Sequence, residues 1–329
     1  MHSLRFFLVL TMILALPAWA WALQGYVQPV GDGGTIAWGS GEVAVVRPLG
    51  GHAGDGTDGE SGIDVGGESS SFALRLAATQ ARKQLIDMIL AVRIDARGTV
   101  SAYLADEEDA TARVRGIVQN SPLERPTAVG EAGDIRVFER LRGKLAEVIL
   151  PTTIQFQSGI APRMSTSMEQ NMAFVDQVPE EAGVGTAGYT GVIVDARGLQ
   201  VTPALAPVIY GQDGLGAYGP FLVSRANAID KGVAAYAVTD DPASLRERVG
   251  DRPLVVRALS TFGSWRTDLV ISSPMARLVR AMMQVGDAVD NCRVVIVLDP
   301  PAGSADAPGA QPFAIESGES GAGQPAKEE

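Results

Sequence analysis

The stretch that decides the fold is residues 72–92, FALRLAATQARKQLIDMILAV. Its small and apolar residues recur every three or four positions, which predicts an amphipathic helix with one buried face. That face comprises Leu74, Ala77, Ala78, Ala81, Leu85, Met88, Ile89 and Val92. Ser69 to Ser71 supply N-caps before it. The central alanines predict that the helix lies close to a sheet, and its basic residues are interpreted as a solvated face.

The segments around this helix predict a first domain over residues 23–151. They are a glycine-interrupted strand at 35–46, a Gly-rich insertion at 50–68, a strand at 92–100, a short acidic helix or turn at 106–118, and a strand-rich segment at 135–150. In the last segment, alternate residues are basic, namely Arg136, Arg140, Arg142 and Lys144. A continuous strand would display them as one basic stripe, but Gly143 interrupts it.

A second, mixed α/β domain is predicted for residues 189–299, after a linker at 152–188. Its strands are expected at 189–195, 203–210, 217–223, 232–238, 253–259, 268–272 and 292–299. Pro274 suits the first position of a helix that runs to about residue 285. Residues 300–329 are rich in Pro, Gly and acids, with nothing to bury, which predicts a disordered tail.

The first 22 residues predict a secretory signal peptide. Arg5 precedes an apolar run from Phe6 to Leu16, and small residues follow at Ala18, Ala20 and Ala22. A positive n-region, an apolar h-region and an A-x-A site are what signal peptidase reads. Cleavage after Ala20 or Ala22 is expected to place the protein in the periplasm or outside the cell, with no transmembrane helix after processing. The alternative is an uncleaved anchor helix, at the short end of the ~17–25 residues that span a bilayer.

Composition excludes several function classes. The formal net charge of the 329 residues is -11, which repels nucleic acid and anionic lipid headgroups, so no nucleic-acid partner is expected. Cys292 is the only cysteine, and His52 is the only histidine besides His2. Neither a disulfide within the chain nor a structural zinc site of Cys and His ligands can therefore form. The glycine pattern at 183–188 matches G-x-G-x-x-G, but a strand follows it instead of a helix, so no cofactor is predicted.

Two aspartates are the only candidate metal ligands. Asp195 and Asp299 each end an apolar strand. If these strands are parallel neighbours, the two carboxylates meet at one sheet edge, where they could hold magnesium or calcium. The alternative is that each aspartate caps its own turn. No catalytic residue is predicted.

The order of elements in the first domain resembles the Lpp-twenty lipoprotein family over residues about 35–151. The resemblance rests on the helix pattern Ala78, Ala81, Arg82, Leu85, on VRIDARGTV and on VFERLRGKLAEVILP. Members are similar to the N-terminal domain of flagellar assembly protein T. Residues 189–299 look like the C-terminal part of larger members.

This resemblance implies an α+β fold, with a long helix packed on a small antiparallel sheet. It also implies a bacterial envelope location, in some members with links to flagella or surface adhesion. The chain departs from the family name because no cysteine follows the signal peptide, so no lipid anchor is expected.

We therefore expect an exported envelope protein with a non-catalytic structural, assembly or scaffolding role, associated with flagella or with other envelope proteins, or with itself. The alternative is a periplasmic binding module for a polysaccharide, peptidoglycan or a small ligand. A concave site of roughly 300–1,000 Å³ with convergent polar groups would favour that alternative. A third interpretation is a metal-dependent hydrolase that uses Asp195 and Asp299.

Overall fold

The computed structural model describes residues 25–49, 68–124, 134–152, 154–164, 188–284 and 287–301. Over these residues the protein has an α+β fold, with a long helix on a five-stranded antiparallel sheet followed by a mixed seven-stranded sheet. The predicted signal peptide, His52, almost all of the Gly-rich insertion and nearly all of the predicted tail lie outside the described residues.

Over its described residues, the first domain has five strands and four helices. The strands are β1 Val27–Val30, β2 Gly34–Ala37, β3 Glu42–Pro48, β4 Leu123–Glu124 and β5 Asp134–Arg140. The helices are α1 Glu68–Ala91, α2 Val100–Leu104, α3 Glu108–Gln119 and α4 Lys144–Ile149. The antiparallel sheet has the order β1-β2-β3-β5-β4.

The predicted long helix is confirmed as α1, and it packs on β3 and β5. Ala77, Ala78 and Ala81 are buried against the sheet, as the spacing predicts. Leu85 and Ile89 are completely buried in the same core. The small side chains bring the helix axis close to the sheet, and the larger ones fill the core beyond them.

In the first domain, three strand predictions differ from the structure, and in the second domain the strands predicted at 203–210 and 217–223 are limited to Ile209–Gly211 and Gly216–Tyr218. Residues 35–46 form two strands, β2 and β3, because a turn at Gly41, with φ +70°, reverses the chain. Residues 92–100 form a turn closed by a single bridge between Arg93 and Thr99, in which Asp95 accepts backbone N–H groups. In residues 135–150 only β5 is a strand, and Gly143, with φ +62°, precedes α4.

The second domain contains seven strands and three helices. The strands are β6 Gly191–Asp195, β7 Ile209–Gly211, β8 Gly216–Tyr218, β9 Ala235–Ala237, β10 Pro253–Phe262, β11 Asp268–Ile271 and β12 Val294–Val297. The helices are α5 Arg225–Lys231, α6 Arg246–Val249 and α7 Ser273–Gln284. The sheet order is β8-β7-β11-β10-β6-β12-β9, in which β10, β6, β12 and β9 are mutually parallel.

The two faces of the second sheet have different partners. On one face, Leu254, Val256 and Ala258 of β10 belong to the same hydrophobic core as α1. On the other face, Ile193 and Val295 pack in a separate cluster with Leu245 and Val249 around α6. The two domains therefore share one core, and α6 covers the opposite side of the parallel strands.

Part of the predicted linker lies along the second sheet. The N–H groups of Gln157 and Gly159 donate to the carbonyls of Pro220 and Phe221, at 3.0 and 2.9 Å. Within the part of the chain that the structure describes, no helix combines the length and the apolar character needed to cross a membrane.

Candidate functional site

Asp195 and Asp299 lie at the same edge of the second sheet. Their strands, β6 and β12, are parallel neighbours, and Val297 is the register partner of Asp195. Because the two strands are parallel neighbours, both aspartates lie at one edge of the sheet, as predicted for that case.

The hydrogen-bond partners of these aspartates are arginines and backbone N–H groups. The Arg197 guanidinium donates to both oxygens of Asp195, at 2.9 and 3.0 Å, and Arg257 donates to Oδ2 at 2.8 Å. Asp299 Oδ2 accepts the Gly198 N–H at 2.6 Å. Burial raises the pKa of Asp195, but the hydrogen bonds from Arg197 and Arg257 outweigh it, so that this pKa is lowered overall.

This arrangement suits turn formation better than metal binding. Asp195 Oδ1 also accepts the backbone N–H of Arg197 at 3.1 Å, as a turn-capping aspartate does. Two guanidinium groups already neutralise this carboxylate, and their positive charge opposes an added cation. Among the described residues, no group of three or more His, Cys, Asp or Glu side chains is placed to hold a metal ion. Metal binding at Asp195 and Asp299 stays a prediction with no further support.

A second feature lies where the two domains meet. Gly25 forms an antiparallel bridge with Ala237 of β9, and the N–H of Tyr26 donates to the carbonyl of Tyr236 at 3.0 Å. The Trp38 ring meets the Tyr236 ring edge to face, with centroids 5.5 Å apart. The start of the first domain thus extends the second sheet beyond β9.

Beside this junction lies a cleft, which we call the inter-sheet cleft, with a volume of about 640 Å³. Its apolar walls come from both sheets and include Ala37, Tyr236, Leu245 and Val295. Five cationic side chains and two acidic ones line it. These are Arg140, Arg142, Lys231, Arg248 and Arg293, with Glu42 and Glu247. A strongly acidic chain therefore carries a locally basic cleft.

Arg142 enters the cleft from the loop between β5 and α4. Its guanidinium donates to the carbonyl of Gly39 at 2.9 Å, and it forms no ion pair with a carboxylate of the described residues. Burial, together with the positive charge of Arg248, lowers the pKa of Arg142 to about 10, although the negative charge of Asp230 acts in the opposite direction. A lowered pKa means that the surroundings of Arg142 disfavour its positive charge, because too little negative charge lies nearby.

Arg248, on α6, is held in the same way. Its terminal nitrogens donate to the carbonyls of Lys231 and Gly232, at 2.6 and 2.9 Å, where α5 ends. Its Nε is buried without a hydrogen-bond partner, and the described residues place no carboxylate within ion-pair distance of it. Burial lowers the pKa of Arg248. Carbonyl oxygens orient this side chain, but they leave its positive charge available to a ligand.

The remaining cations of the cleft divide into two kinds. Lys231 Nζ donates only to neutral oxygens, the carbonyl of Asp290 and Oδ1 of Asn291, at 2.9 and 3.0 Å. Arg293, in contrast, is paired with Asp287 at 3.0 Å. Arg140 also forms no ion pair among the described residues, but its side chain is exposed to water. The partly buried charge without a carboxylate partner is therefore concentrated on Arg142, Lys231 and Arg248.

The fold and this cleft define a class of protein: a two-domain α+β protein with a basic cleft between its sheets. A family model for the second domain of Treponema pallidum Tp0624 matches residues 191–300, one third of the chain. The matched part resembles that domain and contributes Lys231, Arg248 and Arg293 to the cleft. No curated protein matches the chain.

One sequence pattern was a partial signal for this cleft. A continuous strand over 136–144 would display its basic residues as one stripe, but Arg136 pairs with Glu42 and Glu124 in the sheet, whereas Arg142 turns into the cleft. The strand ends at Arg140, so Arg142 lies beyond it. No sequence pattern indicated that Lys231 and Arg248 belong to this cleft, because only the packing of α5 and α6 brings them near Arg142.

Proposed function

We propose that this is an exported protein of the bacterial envelope that binds a ligand bearing an oxyanion, such as a phosphate or carboxylate group, in the inter-sheet cleft. The signal-peptide pattern and the Lpp-twenty resemblance support the location. The observation that carries the binding role is the pair of partly buried guanidinium groups, Arg142 and Arg248, that line this cleft without a carboxylate partner.

The physical argument is the cost of burying a charge. A guanidinium taken out of water without a counter-charge destabilises the folded protein. An anion in the cleft removes that cost and adds charge-assisted hydrogen bonds, which arginine makes in a geometry that matches carboxylate and phosphate. Polar and apolar groups together surround the anion, so the ligand carries an apolar or sugar-like body beside its charge.

The cleft helps to choose between the scaffolding protein, the binding module and the metal-dependent hydrolase that the sequence left open. Its volume lies within the range set for a ligand site, and polar groups converge in it, which favours the binding module over a purely scaffolding role. An assembly role among envelope proteins is compatible with ligand binding and stays a prediction. The metal-dependent hydrolase has no comparable support, because arginines occupy the carboxylate of Asp195.

Inorganic phosphate is the simplest probe of this function. We expect phosphate to raise the melting temperature of the purified protein in a saturable way, since a ligand that binds only the folded state stabilises it by RT ln(1 + [L]/Kd). Thermal unfolding and titration calorimetry in chloride-matched buffers measure the effect. Equal stabilisation by chloride at the same ionic strength would contradict the proposal, because it would reduce the effect to screening.

The location has its own test. We expect protein from the envelope fraction of its host to begin at Trp21 or Leu23, because the alanines at positions 20 and 22 provide the cleavage site. Mass spectrometry of the N-terminal peptide measures this. As a matched control, a variant with Ala20→Lys and Ala22→Lys should retain its leader. Recovery of the intact Met1 terminus from the cytosol would overturn the envelope assignment.

A further inference from the structure

A second cleft of about 750 Å³ lies apart from the inter-sheet cleft. It is bounded by the turn at 94–99 of the first domain, by residues 151 and 154–163, and by the β7 and β11 side of the second sheet. Polar and apolar groups line it in about equal measure, and the apolar residues include Ile94, Ile154, Phe221 and Phe262.

One buried carboxylate lines this second cleft. Asp268, the first residue of β11, is only 4% exposed. Its Oδ1 accepts the backbone N–H of Val208 at 3.0 Å and the hydroxyl of Thr267 at 3.3 Å. These donors are neutral, and within the described part of the chain Asp268 forms no ion pair.

The other titratable groups around the cleft do not balance this charge. Arg97 and Arg163 line the cleft, but both side chains are exposed to water. Asp95 adds negative charge, although its Oδ1 accepts the N–H groups of Arg97 and Gly98, at 2.8 and 3.1 Å. Tyr103 and Tyr210 are the other titratable residues that line the cleft. Burial raises the pKa of Asp268 to about 6, with smaller effects from Val208, Thr267, Asp95 and Arg97, so that the carboxyl group is ionised near neutral pH.

We propose that this second cleft binds a protonated amine with an apolar body, whose ammonium group meets Asp268 and whose apolar part packs against Phe221 and Phe262. An ammonium group supplies the counter-charge that the buried carboxylate lacks, and it adds charged hydrogen-bond donors to the two neutral ones already present. The aromatic and aliphatic walls gain from covering an apolar body. This site is independent of the oxyanion site, because the two clefts share no lining residue.

The test compares 2-phenylethylamine with 2-phenylethanol, its neutral isostere, by titration calorimetry on the mature protein near neutral pH. We expect the amine to bind at least about tenfold more tightly than the alcohol, because only the amine forms a charge-assisted bond with Asp268. In Asp268→Asn, which retains an acceptor for Val208, this preference should disappear. Asp299→Asn, which changes a carboxylate that does not line this cleft, serves as the control and should keep it.

A pH series on the wild-type protein tests the same contact without a substitution. The amine stays protonated between pH 5 and pH 8. Its affinity should fall below about pH 6, where Asp268 takes up a proton, while the affinity of the alcohol stays constant. Equal binding of amine and alcohol, or an amine affinity that Asp268→Asn and pH leave unchanged, would overturn the proposal.

Discussion

Substitution of Arg248 by methionine is expected to weaken phosphate binding in the inter-sheet cleft about 10- to 100-fold, because a hydrogen bond to a charged group contributes ~1.5–3 kcal/mol. Methionine keeps much of the side-chain volume and removes the charge. Titration calorimetry on the wild-type protein and on Arg248→Met measures the difference. Arg142→Met is expected to act in the same direction.

The stability of the unliganded protein separates a binding role for Arg248 from a structural one. Arg248→Met loses two hydrogen bonds to carbonyl groups, but it also removes a buried charge that no carboxylate balances. The two effects offset each other, so we expect the free energy of unfolding to change by less than about 1 kcal/mol.

Arg246→Met is the matched control, since Arg246 lies on the same short helix, is exposed and pairs with Asp251 outside the cleft. It should bind phosphate as the wild type does. If Arg246→Met and Arg248→Met weaken binding equally, the effect comes from general charge and the cleft is not the site.

Substitution of Gly191 by alanine is expected to destabilise the protein by more than about 3 kcal/mol, which is the range of severe core defects. Gly191 begins β6 beneath α6, and a Cβ atom there would overlap the carbonyl oxygen of Val249 and lie 2.7 Å from that of Arg293. Both obstacles are backbone, so no side-chain rotation relieves them. Urea denaturation followed by tryptophan fluorescence measures the loss.

Gly116→Ala is the control for this substitution. Gly116 lies within α3, and a Cβ atom there would have no neighbour within 4 Å. Alanine in a helix is favoured over glycine, so this variant should gain about 0.5–1 kcal/mol. A Gly191→Ala protein with wild-type stability would show that β6 does not approach α6 as closely as described.

The elements that depend on local periodicity were predictable from the sequence. The long apolar face of α1 fixed both its position and its buried side, and the run Val294–Val297 identified β12. The meeting of Asp195 and Asp299 also followed from sequence reasoning, because parallel strands end at a common edge. Their arginine partners did not, since Arg257 reaches Asp195 from β10 only once the sheet has formed.

The inter-sheet cleft could not be predicted, because the three partly buried cations without a carboxylate partner come from separate places in the chain. Arg142 follows β5, Lys231 ends α5 and Arg248 belongs to α6. The alternation of basic residues around Arg142 suggested a strand, and a glycine with positive φ at position 143 ended it. When domain packing brings charged residues together from separate elements, the sequence shows no regular spacing between them.

The bridge between Gly25 and Ala237 has a consequence for biogenesis. A chain made from its N-terminus offers residue 25 long before residue 237 exists, so this contact is among the last to form. Without this contact the outer edge of β9 would be open, and an open strand edge invites pairing with another molecule. Loss of the first residues of the described chain is therefore expected to favour association of copies through β9.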